Sequence, residues 1–251
     1  MSFWDHVDQL RGAILRSVAY ILVLFVVGFF FKGPLFDGVV LRPTRPDFWL
    51  YRLLDVELSI DLINIDIAAQ FFTHIKVTLL IALVTAFPLI CYEIWRFVVP
   101  ALYETEKAVL RKAFALGGGL FYLGVAIGYF VVMPVLLVFF NDYEVSASVV
   151  NTFSLHSYIS IFTAMVFLMG LLFEFPSVLA VLGHFGVVSR GMLRRGWRVA
   201  IMVILILSAV LTPTGDPFTL LVVALPLLLL YELSILIVPE RKQTTSARTS
   251  D

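Results

Sequence analysis

Six long apolar runs constrain the fold of this sequence more than any other feature. A transmembrane helix needs about 20 predominantly apolar residues to cross the hydrocarbon core, and each run has or approaches that length. The runs cover residues 13–31, 71–95, 113–138, 158–182, 197–211 and 217–238. The composition agrees, because 61% of the residues are hydrophobic and only 14% are charged, against about 25% charged in soluble domains. We therefore predict an all-α polytopic membrane protein with six transmembrane helices.

Four of these spans contain an internal proline, namely Pro88, Pro134, Pro176 and Pro226. Proline removes a backbone hydrogen bond and bends a helix, so we expect kinked helices in a cupped bundle. The fifth run is also short: its 15 residues extend about 22 Å as a helix, against a hydrocarbon core of about 30 Å. This length predicts a locally thinned bilayer beside the fifth and sixth spans.

Lysine and arginine are distributed unevenly between the two sides of the predicted bundle. If the N-terminus is cytoplasmic, 13 of the 18 basic residues lie on the cytoplasmic side, as the positive-inside rule requires. We therefore expect both termini in the cytoplasm. Loop 32–70 is then an outer cap, residues 1–238 form one six-span domain, and the polar segment 239–251 is predicted to be a disordered cytoplasmic tail.

No motif in the sequence indicates an enzyme. The histidines are scattered without metal-ligand spacing, and no nucleophile elbow, phosphate loop or dinucleotide fingerprint is present. We expect no cofactor and no bound metal. The net charge is zero and no interleaved basic and aromatic motif is present, which argues against nucleic acid as a partner.

Glu174 lies inside the fourth span, two residues before Pro176. A carboxylate near the bilayer centre costs about 2.5–3.5 kcal/mol on insertion scales, so it should face protein, water or a partner. On a helix it shares a face with Thr163, Phe167 and Gly170. Two interpretations stay open: a polar docking point for a partner, or a structural carboxylate hydrogen-bonded between helices.

Two further patterns concern the second and third spans. Glu104 and Glu106 lie in the connecting segment 96–112, where they could hold guanidinium groups or favour the N-terminus of the next helix; the spacing alone favours the second interpretation. Gly124 and Gly128 lie in the third span, and small residues at this spacing indicate close helix packing.

Several segments together, in this order, resemble the TatC family, the core membrane subunit of the twin-arginine protein translocase. These segments are HVDQLR (6–11), FPLICYEIWRFVVPALYETE (87–106), FYLGVAIGYFVVMP (121–134), YISIFTAMVFLMGLLFEFP (158–176), LTPTGDPFT (211–219) and ALPLLLLYELSI (224–235).

The resemblance implies a receptor in the bacterial or archaeal inner membrane, homo-oligomeric in its complex, that binds twin-arginine signal peptides of folded precursors. It also implies the single-span partners TatA and TatB, and transport driven by the proton motive force. The signal-binding candidates are Glu106, Glu104, Phe97, Leu102, Tyr103, Gln9, Leu10 and Arg11. The other candidates are Glu174 and Thr163 within the membrane, Met202, Leu205 and Leu211 for partner docking, and Pro213 and Asp216 in the last outer loop.

One position departs from the family pattern, because the N-terminal motif usually carries glutamate where this sequence has Gln9. An amide accepts a hydrogen bond but supplies no charge. Two other functions are alternatives to the translocase: a proton-coupled transporter of a small solute that uses Glu174, and a purely structural scaffold. The sequence shows no internal repeat of the transporter kind, and a scaffold explains neither Glu174 nor the acidic loop.

Overall fold

The structure is a computed structural model that describes residues 3–56, 58–101, 103–146, 148, 151–212, 216–238 and 240. Its helices are α1 Phe3–Phe30, α2 Lys32–Leu35, α3 Trp49–Leu54, α4 Ala69–Val98, α5 Glu104–Ile127, α6 Met133–Asp142, α7 Leu155–Phe173, α8 Phe175–His184, α9 Arg190–Arg195, α10 Trp197–Leu211 and α11 Pro217–Ile237. The predicted all-α polytopic fold is confirmed. Five helical stretches are long and apolar enough to cross a membrane, and Trp197–Val210 is a shorter apolar helix.

Two of the four prolines begin a new helical segment. In the third span a π-helical turn, Gly128–Val132, joins α5 to α6, and Pro134 follows in the first turn of α6. In the fourth span α7 ends at Phe173, and Pro176 lies in the first turn of α8. At Pro176, which follows the break, proline is tolerated because the first turn of a helix has no intrahelical use for its N–H.

Pro88 and Pro226 instead lie inside the continuous helices α4 and α11. Pro88 cannot donate to the carbonyl four residues earlier, that of Val84. The hydroxyl of Tyr122 on α5 donates to this carbonyl oxygen at 3.1 Å. A neighbouring helix thus satisfies the group that the proline leaves without a partner, as membrane helices require.

The helices pack as a row. α1 packs mainly on α4, α4 and α5 pack on α7, α5 packs on α8, α8 packs on α11, and α10 packs mainly on α11. Gly124 of α5 and Gly128 of the π-helical turn bring the third span against the backbone of α7, since a Cβ at either position would overlap Met169 or Met165. This close approach confirms the packing predicted from the glycine pair.

Residues 32–56 and 58–68 form a cap over one end of the long helices, called the cap end below. Val40, Phe48 and Tyr51 of the cap are buried against the spans. Tyr129 and Tyr158 donate their hydroxyls to the carbonyls of Val39 and Val40. Strands β1 Leu62–Ile63 and β2 Phe153–Ser154 pair in parallel, which joins the cap to the loop before α7.

Tyr51 fixes the cap from within by donating to the Pro43 carbonyl at 2.6 Å. Burial raises the pKa of the Tyr51 phenol far above its ordinary value, so the hydroxyl stays protonated and able to donate.

The opposite end of the long helices, called the basic end below, contains the start of α1, the end of α4 and the start of α5. It also holds α9 and the end of α11. Arg190 of α9 donates from Nε to the Val238 carbonyl at 3.2 Å and from Nη2 to the Leu236 carbonyl at 2.7 Å. These bonds satisfy carbonyls that the end of α11 leaves open. Of the tail predicted to be disordered, only Glu240 lies among the described residues.

Candidate functional site

A groove of about 460 Å³ lies between α1 and α4 at the basic end. It brings together two of the predicted signal-binding residues, Gln9 of α1 and Phe97 of α4. The ring of His6 lies 4.4 Å from that of Phe97. The full lining is Asp8, Gln9, Gly12, Ala13, Arg16, Arg96, Phe97 and Pro100. Leu10 and Arg11 are exposed on α1 and do not line the groove.

The other predicted signal-binding residues belong to the link between α4 and α5. Glu104 and Glu106 lie in the first turn of α5, and their side chains fall outside the described part of the chain, as does Leu102. Tyr103 is exposed immediately before the helix. Acids in a first turn favour the helix through its dipole.

Sequence reasoning missed an ion pair below the groove. Glu93 of α4 is buried, and Arg16 of α1 donates to its Oε2 from Nε at 2.9 Å and from Nη2 at 2.8 Å. Tyr20 donates to Oε1 at 3.1 Å. The signal that could have found this cluster is the one used for Glu174, a carboxylate inside an apolar span, together with an arginine in the neighbouring span.

Glu174 lies at the break between α7 and α8. Ser177 donates to its Oε2 at 2.7 Å and to its backbone carbonyl at 2.9 Å. Its Oε1 is buried without a hydrogen-bond partner among the described residues. Gly117 of α5 leaves the room for this carboxylate, since a Cβ there would lie 2.5 Å from Oε2.

The carboxylate borders a cavity of about 380 Å³ enclosed by α4, α5 and α8. Apart from Cys91, Glu174 and Ser177, the lining is apolar and includes Ile94, Phe114 and Phe185. The cavity can therefore take a few side chains of an apolar helix that docks at its opening, one of them bringing a polar group to Oε1. Thr163 has a different environment, because its hydroxyl donates to the carbonyl of Ile159 in its own helix at 2.7 Å.

The remaining predicted residues lie near α10 and α11. Met202 is exposed on α10, Leu205 packs partly against the core, and the side chain of Leu211 lies outside the described residues. Asp216 caps α11 by accepting from the Thr219 backbone N–H at 2.7 Å and its hydroxyl at 2.6 Å. Pro213 lies outside the described residues.

Neither the groove between α1 and α4 nor the cavity beside Glu174 has, among its described residues, the donor set of a metal centre. Within the part of the chain that the structure describes, no group of three or more His, Cys, Asp or Glu side chains could hold a metal ion. The two regions offer hydrogen bonds, charge and apolar surface, which suits them to binding peptide segments.

Comparison with known proteins gives a consistent result. A family model described as Sec-independent protein translocase protein (TatC) matches residues 5–226. A Sec-independent protein translocase protein TatC from a Blattabacterium of Periplaneta americana is 31% identical, covering 94% of each chain. One from Deinococcus radiodurans is 32% identical, covering 93% of this chain and 84% of its own. A crystal structure of the twin-arginine translocase receptor TatC in DDM matches with a TM-score of 0.78 at 29% identity, covering 93% of this chain and 99% of that one.

Proposed function

The chain belongs to the TatC family of Sec-independent protein translocase proteins, and we propose that it is the receptor and core subunit of a twin-arginine translocase. In this role it binds the twin-arginine signal peptides of folded precursors and recruits TatA for transport driven by the proton motive force. The observation that carries the proposal is the groove between α1 and α4, which both Gln9 and Phe97 line.

The basic end is cytoplasmic in this proposal, and the membrane is the bacterial or archaeal inner membrane. Arg11, Arg96, Arg111 and Arg194 belong to segments at this end, which is the arrangement that the positive-inside rule favours. Signal peptides approach from the cytoplasm, so the groove then faces the side on which precursors are made.

Partner subunits have two candidate contacts in this proposal. Glu174 offers Oε1 to a polar side chain that a docked helix inserts into the cavity of α4, α5 and α8. The exposed side of α10, with Met202, offers an apolar edge to a single-span subunit. Photocrosslinkers at Met202 and Leu205 should capture TatA or TatB. Absence of any product at both positions, with product elsewhere on the protein, would exclude this edge.

Signal-peptide binding to the detergent-solubilised protein, measured across a salt series, tests the receptor function. Glu106→Gln should weaken capture by the loss of a charge-assisted hydrogen bond, about 1.5–3 kcal/mol before solvent screening. Gln9→Glu should tighten binding and make it more sensitive to salt, because it adds a charge to the groove. Lysine in place of arginine in the signal should bind less well, since an ammonium cannot form the planar fork.

Glu144→Gln is the matched control, because it removes an exposed acid next to α6, at the cap end. It should leave binding unchanged. Unchanged binding in Glu106→Gln would remove Glu106 from the site and leave it the helix-capping role that its position in the first turn of α5 allows.

A further inference from the structure

Glu93 is a buried carboxylate that must stay paired. It is 1% exposed, and its partners among the described residues lie on α1: Arg16 donates from Nε and forms an ion pair through Nη2, and Tyr20 donates its hydroxyl. Leaving a buried charge without a partner is strongly unfavourable. The requirement is for a guanidinium or an equivalent cation, and a guanidinium from another chain would meet it equally well.

Arg16 separates this carboxylate from the groove. Its side chain is 43% exposed, against 2% for that of Glu93, and it lines the groove with Gln9 and Phe97. Gly12 leaves room for the guanidinium, because a Cβ there would lie 3.1 Å from Nη1 of Arg16. One face of the guanidinium therefore looks into the groove while its Nε and Nη2 hold Glu93.

The described lining of the groove is short of negative charge for a ligand with two adjacent arginines. Arg16 and Arg96 contribute two positive charges, Asp8 contributes one negative charge, and Gln9 is neutral. Glu106 is proposed to hold one of the signal arginines, and the second would meet repulsion in the groove unless another carboxylate became available. Glu93 lies directly behind Arg16 and is the carboxylate that removal of Arg16 would expose.

We propose that Arg16 is an internal competitor for the arginines of the signal peptide. In the empty receptor Arg16 is paired with Glu93. In the complex one signal arginine takes the place of Arg16 in this ion pair, and the Arg16 side chain turns outward. The exchange keeps Glu93 paired, so it avoids the penalty of a lone buried charge. Arg16 lies near the start of the apolar run 13–31, where a long basic side chain can extend its charged group toward the aqueous interface.

This inference rests on the proposed receptor function and adds a source of selectivity to it. Two N–H groups of one guanidinium converge on Oε2 of Glu93 while Tyr20 holds Oε1. A lysine ammonium is a point charge without this fork. A twin-lysine peptide should therefore displace Arg16 poorly, so the competitor penalises lysine more than arginine.

The test is the Kd of labelled twin-arginine and twin-lysine signal peptides for the full chain in lipid nanodiscs. Arg16→Gln should tighten twin-arginine binding by about two- to fivefold, the range expected for a partly exposed ion pair. Glu93→Gln should weaken it and reduce the preference over twin-lysine. In the double variant Arg16→Gln/Glu93→Gln the gain should vanish, because no carboxylate remains to compete for. If Arg16→Gln still tightened binding when Glu93→Gln was also present, or tightened it equally for both peptides, the effect would reflect only the lost positive charge. Either result would overturn the proposal.

Arg198→Gln is the matched control, since it removes an exposed arginine at the basic end, on α10 and away from the groove; it should not tighten binding. If Arg16→Gln weakens binding as Glu93→Gln does, or leaves it unchanged, the pair is a clamp between α1 and α4 and the proposal is wrong. Should Arg16→Gln fail to fold, Arg16→Lys keeps the charge with a weaker hold on Glu93 and must also tighten binding. A wild-type protein without preference for twin-arginine peptide would instead overturn the receptor function itself.

Discussion

At the residue scale, Glu174 combines features that a purely structural carboxylate does not need. One oxygen accepts from Ser177, and the other is buried beside an apolar cavity without a partner among the described residues. Buried polar atoms are normally hydrogen-bonded, so Oε1 is the atom that a partner helix would supply with a donor. Its place at the helix break, rather than on a continuous face with Thr163, directs it toward α5.

Glu174→Ala should therefore impair transport while leaving signal-peptide binding at the groove intact. Glu174→Gln should be milder, because an amide still accepts a hydrogen bond, which is worth about 1–2 kcal/mol in lipid at most.

Gly117→Ala should reproduce the defect of Glu174→Ala, since its methyl group would displace Oε2. Transport assays on membrane vesicles and peptide binding measure the two effects separately. Gly118→Ala is the control, because a Cβ there meets nothing within 4 Å; equal defects in the two glycine variants would exclude this explanation.

The hydroxyl of Tyr122 carries a second prediction at this scale. Tyr122→Phe leaves the Val84 carbonyl without the donor that replaces the N–H missing at Pro88. We expect a loss of about 1 kcal/mol of stability, seen as a lower melting temperature in detergent. Tyr92→Phe removes an exposed hydroxyl from the same helix as Pro88 and should have a smaller effect. A melting temperature unaltered by Tyr122→Phe would mean that Val84 finds another donor.

At the scale of the helices, the contact of α5 with α7 depends on the absence of side chains. A Cβ at Gly124 would lie 2.7 Å from Cβ of Phe173, and one at Gly128 would lie 2.8 Å from the Met165 carbonyl oxygen. Gly124→Ala should destabilise the protein by about 1–3 kcal/mol, the usual cost of overpacking. Gly119→Ala meets open space on the same helix and should be neutral or stabilising. Thermal unfolding of the two variants measures this difference, and similar melting temperatures would contradict the close packing.

The sequence predicts where the helices lie along the chain better than it predicts which helices pack against each other. Apolar runs identify the spans because the bilayer demands their length and composition, yet α1 begins at Phe3, before its run, since polar turns outside the hydrocarbon carry no hydropathy signal. Pro88 and Pro176 look alike in sequence, but only Pro176 follows a break. The pairing of Glu93 with Arg16 depends on which helices are neighbours, and spacing within one helix does not contain that information.

At the scale of the whole molecule, α10 makes one edge of the row shorter than the rest. Its 15 residues extend about 22 Å, so the bilayer beside it must thin by about 8 Å from its usual 30 Å or the helix ends lie inside the hydrocarbon. The melting temperature in nanodiscs of increasing acyl-chain length should therefore peak in thinner lipids than the long helices alone would favour. Inserting about one helical turn into α10 should move this optimum to thicker lipids. An optimum that the insertion leaves in place would show that α10 does not set the local thickness.

The hydrogen bonds that hold the cap also determine when it can fold during synthesis of the chain. Val39 and Val40 depend on tyrosines that follow them by 90 and 118 residues, and Leu62 pairs with Phe153. At about 5–20 residues per second, a ribosome takes about 6–24 s to make the last of these partners after the first. The groove needs only α1 and α4, which are complete before α5 begins. The nascent protein should therefore have its groove while its cap is still unfolded, and the cap closes only when the fourth span has entered the membrane.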